Sequence, residues 1–298
     1  MNEMSKNCSD RLSLVVLTYN RSRELCRSLG RLVALPDKPH IIVVDNGSTD
    51  DTAHCIRTQF SQVELVQSDT NLGAAGRNLG VQRVTTPYVA FSDDDTWWAP
   101  DSLCKAADIL DEHPTVAVLV ARILVGVDER PDPTSMAMSA SPLDRIPDVG
   151  PTLVGFMAGA SAMRTEAFRQ AGGYWSEFFI GGEESLLAMD LLDAGYQIAF
   201  SSALQVHHWP SGQRDQSLRQ HLLARNAIWT AWLRLPWRLA WERTLRLLKQ
   251  LPAPEMRRRA LQASLKGARQ IYRNRRVLRL ETCNVLQKVW QHEERVIS

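Results

Sequence analysis

The stretch Tyr88-Val89-Ala90-Phe91-Ser92-Asp93-Asp94-Asp95-Thr96-Trp97-Trp98 decides how this chain is read. A short apolar run reads as a buried strand, so the three aspartates stand where the strand ends and a loop begins. Adjacent carboxylates repel one another and cost stability unless something positive binds them. A divalent cation with oxygen ligands meets that need, and magnesium or manganese carrying a phosphate suits these donors. The plain alternative is a solvated turn, or an acidic cluster before the helix that Pro100 and Asp101 open.

Upstream, strands alternate with helices. Leu12 to Leu17 reads as a strand and Ser22 to about Leu35 as a helix stopped by Pro36. His40 to Val44 is a second strand, ending in Asp45-Asn46-Gly47-Ser48-Thr49-Asp50. Ser48 or Asp50 would cap a helix running to about Phe60. Val63 to Val66 is a third strand, and a helix from about Gly73 to Val84 leads into the strand that carries the aspartates. This alternation implies parallel pairing in an α/β sandwich, whose ligands bind at the carboxyl ends of the strands. Both acidic clusters fall on that rim.

Residues 126–150, with Pro131, Pro133, Pro142, Pro147 and Gly150, read as a loop or insertion. Leu153 to Met163 is apolar and rich in small residues, and Gly181-Gly182-Glu183-Glu184 opens a helix to about Ala194. Tyr196 to Phe200 and Leu204 to Val206 read as two short strands. From Ser217 onward helical signals dominate, broken at Pro236, Pro252 and Pro254.

A chain of 298 residues, 44 % apolar, can bury one large core or a core plus an appendage. Five dispersed cysteines without a CxxC pair suit reduced thiols in a cytoplasmic protein. The first eleven residues are polar, unlike a signal peptide, and no run approaches the ~18 apolar residues of a membrane span. The net charge of +2 conceals a split: residues 201–298 hold 19 Lys+Arg against 6 Asp+Glu, a balance of +13, and the first 200 residues carry −11. An acidic catalytic body and a basic tail with its own partner follow.

Asp45, ending a buried strand, can accept a hydrogen bond from a nucleobase ring N–H, although its segment also satisfies a turn and helix-cap pattern. Tyr19 could stack on a base. The first strand is followed by Thr18-Tyr19-Asn20-Arg21-Ser22 with no glycine-rich loop, which excludes a dinucleotide oxidoreductase and a sugar nucleotidyltransferase.

Taken in order, Leu17-Thr18-Tyr19-Asn20-Arg21, Val44-Asp45-Asn46-Gly47-Ser48-Thr49-Asp50, Asn71-Leu72-Gly73 with Arg77-Asn78, and Asp93-Asp94-Asp95 resemble the family 2 glycosyltransferases over roughly residues 11–210. The resemblance implies a GT-A fold with a mixed, mostly parallel sheet flanked by helices, and a nucleotide-diphosphate sugar (UDP, dTDP or GDP) as donor. It implies that Asp45 binds the base, that Thr18 and Tyr19 line its pocket, and that Arg77 and Asn78 lie along the nucleotide. Asp93 would meet ribose or metal, and Asp95 would be the firmest ligand of Mn2+ or Mg2+. Glu183-Glu184 resembles the family's Glu-Asp pair, so Glu184, one methylene longer, would deprotonate the acceptor hydroxyl. His207 would ligate the metal or meet the diphosphate, and Trp97, Trp98 and Glu183 would wall the donor or acceptor pocket. A single displacement aided by one carboxylate inverts the anomeric centre. The alternative is a non-catalytic scaffold or membrane-surface binding protein that keeps this fold.

The division is then a catalytic domain over 11–210 and a basic, Trp/Arg-rich helical region over 211–298. In the latter, Trp229, Trp232, Trp237 and Trp241 lie among leucines and arginines. Such a region suits either an anionic bilayer surface or packing on the catalytic body. Arg257-Arg258-Arg259 and Arg273 to Arg279 carry no nucleic-acid motif, so nucleic acid is not expected as a partner. The acceptor expected is a glycan or lipid-linked glycan, met in the cytoplasm at the inner membrane face.

Overall fold

A computed structural model describes residues 8–210 and 216–297. The N-terminal residues 1–7 and the junction at 210/211 expected between the two regions lie outside the described residues. The strands are β1 (Leu12–Thr18), β2 (His40–Asp45), β3 (Glu64–Gln67), β4 (Tyr88–Asp93), β5 (Thr96–Trp98), β6 (Val116–Val125), β7 (Arg130–Pro131), β8 (Arg145–Ile146), β9 (Gly150–Leu153), β10 (Ser161–Arg164) and β11 (Gln197–His208). The helices of the body are α1 (Cys8–Arg11), α2 (Ser22–Val33), α3 (Thr52–Gln59), α4 (Gly76–Arg83), α5 (Ser102–Glu112), α6 (Pro133–Ser139), α7 (Thr165–Gln170) and α8 (Glu183–Asp193). Beyond them come α9 (Gln216–Arg234), α10 (Trp237–Gln250), α11 (Pro254–Lys266), α12 (Ala268–Asn274) and α13 (Leu280–Ile297).

The sheet runs β3-β2-β1-β4-β10-β6-β11-β9-β8. Pairing is parallel across β3-β2-β1-β4 and between β6 and β11, and antiparallel where β10 joins β4 to β6. Strands buried on both faces are apolar at every position rather than at alternate ones. Accordingly Leu14, Val16 and Val43 face one core, shared with Leu25, Leu29 and Leu32 of α2 and Leu103 and Leu110 of α5. Val15, Ile42, Val44 and Phe91 face the other, shared with Val81 of α4, Phe168 of α7 and Leu187 and Leu191 of α8. Register places Thr18 beside Asp45, Asp45 beside Gln67 and Leu17 beside Asp93, so the motif-bearing ends share one rim.

Several expectations are corrected. Residues 126–150 are not merely loop: Asp132 caps α6 by accepting from the backbone N–H of Thr134 and Ser135. The two short strands expected near residue 200 are one strand, β11, with a register shift between Ser201 and Gln205. The three-residue β5 pairs antiparallel with the end of β11. The five thiols are not all reduced, because α2 and α3 lie side by side and join Cys26 to Cys55 as a disulfide, with Cys8, Cys104 and Cys283 free. Their separation of 29 residues gave no sign of this.

Of the later helices α9 and α13 dock on α8, and α10, α11 and α12 pack on α9. One apolar cluster joins Met189 of α8 to Ala231, Leu235, Ala240, Leu278 and Leu286, and another joins Phe178 and Leu186 to Trp229, Leu233 and Ile271. Among the described residues no helix is long and apolar enough to cross a membrane.

Candidate active site

The rim loops lock to one another before any ligand enters. Asn20 accepts from the Thr49 N–H (2.7 Å) and its own N–H donates to Ser48 Oγ (2.9 Å), joining the first two motifs. Asn46 is buried and donates to Asn71 Oδ1 (3.0 Å) and the Gly73 carbonyl (2.9 Å), while accepting from the Leu72 N–H (3.0 Å). The Asn71-Leu72-Gly73 motif is therefore held through Asn46. Asp45 is buried, accepting from the Ser48 N–H (3.0 Å) and Gln67 Nε2 (3.3 Å). Tyr19 is 41 % exposed at the same edge.

Two arginines offset part of the charge of the three aspartates. Arg21 donates to Asp94 (3.0 Å) and reaches Asp95 (3.4 Å), and the buried Arg77 pairs with Asp93. Burial pushes the Asp94 carboxyl up to about 7, against the pull of Arg21 and with Asp95 and Asp93 adding to the rise. Thr18 donates to the same Asp94 carboxylate (3.3 Å), so it faces the acidic turn. For Arg77, burial opposes the charge, but Asp93, Tyr174, Glu184 and Glu183 outweigh it and raise its pKa.

Glu183 and Glu184 begin α8, after Gly181 and Gly182 in left-handed conformations. Glu184 accepts from the Ala158 N–H at 2.9 Å. The next residue, Gly159, packs against Asp93 so closely that a Cβ there would lie 2.6 Å from Asp93 Oδ2. The short turn Ala158–Ala160 thus touches both carboxylates, Asp93 through Gly159 and Glu184 through the Ala158 N–H. Sequence reasoning missed this turn, whose small residues read only as an apolar run. Burial, then the neighbouring Glu183, raise the Glu184 carboxyl to about 7, while the Ala158 N–H and Arg77 work against the rise.

The histidine pair divides as strand alternation requires. His208 Nε2 lies 3.6 Å from Asp95 Oδ1. His207 stacks on Trp97 with ring centroids 5.4 Å apart, and its Nδ1 sits 3.2 Å from Glu129. His208, not the expected His207, therefore faces the acidic turn. Trp98 is fully buried, donating to the Phe91 carbonyl (3.0 Å), and Trp97 packs against His207 and Arg31. Trp97 lines a cavity of about 500 Å³ with Arg31, Glu129, His207 and Trp209, on the His207 side of β5. Asn78 spends both polar atoms on the backbone of Tyr174 (2.8 and 3.0 Å), which makes it a clamp for that loop.

Asp95 and His208, 3.6 Å apart, are the ligand-type groups that the acidic turn brings together, and carboxylates there suit manganese or magnesium, while Asp93 is held by Arg77. Among the described residues the three-ligand group whose atoms lie within 4.8 Å of one another is Cys8, Asp37 and Cys104, on other elements, and both Asp37 oxygens already accept backbone N–H groups of Asp101 and Cys104.

Residues 13–172 match the family model described as glycosyl transferase family 2. The chain belongs to this family. It is 26% identical over 186 residues to the poly(ribitol-phosphate) beta-N-acetylglucosaminyltransferase TarS of Staphylococcus aureus, covering 60% of this chain and 32% of that protein. It is 31% identical over 217 residues to a pre-mycofactocin glycosyltransferase of Mycobacterium tuberculosis, covering 66% and 43%. The chain thus spans less than half the length of these two relatives. Against the N-acetylglucosaminyl-diphospho-decaprenol L-rhamnosyltransferase of M. tuberculosis the identity is 24%, over 87% of this chain and 98% of that one. The crystal structure of S. aureus TarS superposes with a TM-score of 0.55 at 18% identity, covering 88% of this chain and 54% of that one. GalNAc-T7 with UDP, GalNAc and Mn2+ gives 0.59 at 17%, covering 86% and 55%. The chain has the GT-A fold of these structures, with the helices α9 to α13 following the sheet.

Proposed function

We propose that this glycosyltransferase moves a sugar from a UDP-, dTDP- or GDP-sugar to an acceptor hydroxyl with inversion, aided by Mn2+ or Mg2+. The observation that carries the reading is the site where Asp93 and Glu184 both meet one short turn, Gly159 packing on Asp93 and the Ala158 N–H bonding Glu184. In it Asp45 receives the base, with Thr18 and Tyr19 beside it, and Arg77 holds Asp93 in place. Asp95 and Asp93, with His208, would hold the cation, which supplies charge neutralisation to the diphosphate leaving group. Glu184, poised near neutrality, takes the proton from the acceptor hydroxyl as that oxygen attacks the anomeric carbon. Glu183 borders the same cleft.

The acceptor is a glycan or lipid-linked glycan. Support comes from the rhamnosyltransferase relative that the chain covers almost throughout, whose name specifies a diphospho-decaprenol sugar. Residues 11–210 form the catalytic domain and 211–298 a basic region that keeps the enzyme at the inner face of the membrane. That location follows from the donor and the basic region, and not from the thiols.

A thermal-shift screen of nucleotide sugars with Mn2+ tests the reading. At least one donor is expected to raise Tm, Asp95→Ala to abolish the rise, and Glu184→Gln to keep it while losing transfer and donor hydrolysis. No shift with any UDP-, GDP- or dTDP-sugar would remove the reading. Hydrolysis undiminished in Glu184→Gln would remove its mechanism.

A further inference from the structure

The four tryptophans of α9 and α10 have two fates. Trp229 is buried, donating to the Ser264 carbonyl (3.1 Å), and Trp232 donates to Thr244 Oγ1 (2.9 Å). Trp237 and Trp241 remain 59% and 58% exposed, and Leu245 52%. These three are spaced four apart on α10 and so share one edge of the helix. Ala240 and Thr244 of the same helix are buried, and Arg243 lies over the Trp290 ring at 4.3 Å, so the inward face is fixed by packing. The outward face is part apolar and part cationic, with Arg238 and Lys249 exposed near the tryptophans, while Arg246 is exposed but paired with Glu294 of α13.

Trp232 meets both exposed rings edge-on, with centroids 5.5 Å away in each case. Arg275 stands 4.0 Å from the Trp237 centroid. The rings are therefore braced from below and flanked by charge, not loose on the surface. Glu242, the acid on this face, is tied to Arg238 at 3.1 Å. A rigid pair of amphipathic rings beside cations is the composition that seats at the boundary between headgroups and acyl chains. The balance of +13 over residues 201–298 selects an anionic surface.

We infer that the exposed face of α10, built on Trp237, Trp241 and Leu245 with Arg238 and Lys249, docks the enzyme onto an anionic phospholipid bilayer without spanning it. Its purpose rests on the lipid-linked acceptor proposed above, but its binding does not. Docking would hold the acceptor cleft near the headgroups.

Co-sedimentation with phosphatidylcholine vesicles, with and without about one-third phosphatidylglycerol, tests this at low and high salt. The full chain is expected to sediment with the anionic vesicles, less so at high salt, and weakly with pure phosphatidylcholine. The double variant W241A/L245A should lose at least about tenfold in partitioning, because two apolar side chains no longer enter the interface. Val127→Ala, which trims an apolar residue 76% exposed on the catalytic body, should bind as the parent does. No sedimentation of the parent, or equal sedimentation of W241A/L245A, overturns the proposal. So does a dimer in light scattering that the same double variant dissolves, since a second copy would then be the occupant. Donor hydrolysis is followed on the same samples: lost docking with intact hydrolysis removes only this inference, and intact docking without hydrolysis removes only the enzymatic reading.

Discussion

Glu184 holds its proton to about 7, chiefly through burial and then through Glu183. A base must be ionised to act, so the transfer rate should climb with pH up to about 7 and level off above it. Glu184→Gln should be slower by about 10²–10⁴-fold and should lose that inflection, which a pH series of initial rates would read directly. The same shift has a stability consequence of opposite sense. The native carboxyl keeps its proton over a range, from about 4.5 to about 7, in which the unfolded one has released it. The native state binds more protons there, so the stability that this group contributes is lost as pH rises through that window. Denaturant titrations of parent and Glu184→Gln would expose the difference in slope. The histidine pair allows a second comparison. His208→Ala should shrink the Tm rise caused by Mn2+ with donor, whereas His207→Ala should leave the rise intact. The latter should instead lower the basal Tm by the loss of the Trp97 stack, about 0.5–1.5 kcal/mol.

The loop that precedes α8 is locked to the Asn71-Leu72-Gly73 motif through a contact only glycine permits. Gly73 has φ of +60°, and a Cβ there would lie 1.9 Å from the Phe179 carbonyl oxygen, which accepts from the Ala74 N–H at 2.6 Å. Gly73→Ala should therefore cost about 2–4 kcal/mol, combining left-handed strain with displacement of a backbone segment. Gly126→Ala has the strain (φ of +72°) but open space around it, so it should cost about 1 kcal/mol. Chemical denaturation of the two variants separates the terms. The acidic strand ends were legible because apolar runs buried on both faces stop abruptly at Asp45 and Asp93. β5 was not, because Thr96-Trp97-Trp98 becomes a strand only by pairing with His208, His207 and Val206, over a hundred residues away. That same pairing decides which histidine faces Asp95, and adjacent residues in one strand offer no local signal for the choice. The α6 insertion was hidden by its prolines, of which Pro133 in fact starts the helix. Residue types read at strand ends placed both acidic clusters on one rim, while the contacts that hold that rim's shape, made by the Asn46 side chain and by the backbone of Ala158 and Gly159, depend on tertiary structure.

The helices beyond residue 216 bear on the segment that leads into Glu184, the proposed base. Asn226 is fully buried, and its Nδ2 donates to the carbonyls of Phe178 (2.9 Å), Ile180 (3.0 Å) and Gly181. Arg225 beside it donates to the carbonyls of Glu177 (3.0 Å) and Phe178 (3.1 Å). These five bonds fix the segment that turns through Gly181 and Gly182 into Glu184. A second tie joins Arg234 of α9 to Asp190 of α8 through two hydrogen bonds, at 2.5 and 2.9 Å. Asn226→Ala leaves buried carbonyls unpaired, which should cost about 1–3 kcal/mol in global stability. If Asn226 also positions the base, kcat should fall several-fold while the KM for donor, whose base and phosphate contacts lie across the cleft, stays near that of the parent. Asn226→Asp cannot donate to those carbonyls and should behave like the alanine variant, whereas Asn226→Gln, which keeps the amide, should recover part of kcat. Equal loss of activity in Asn226→Ala and in an equally destabilised variant elsewhere, such as Gly126→Ala, would reduce the residue to a structural tie.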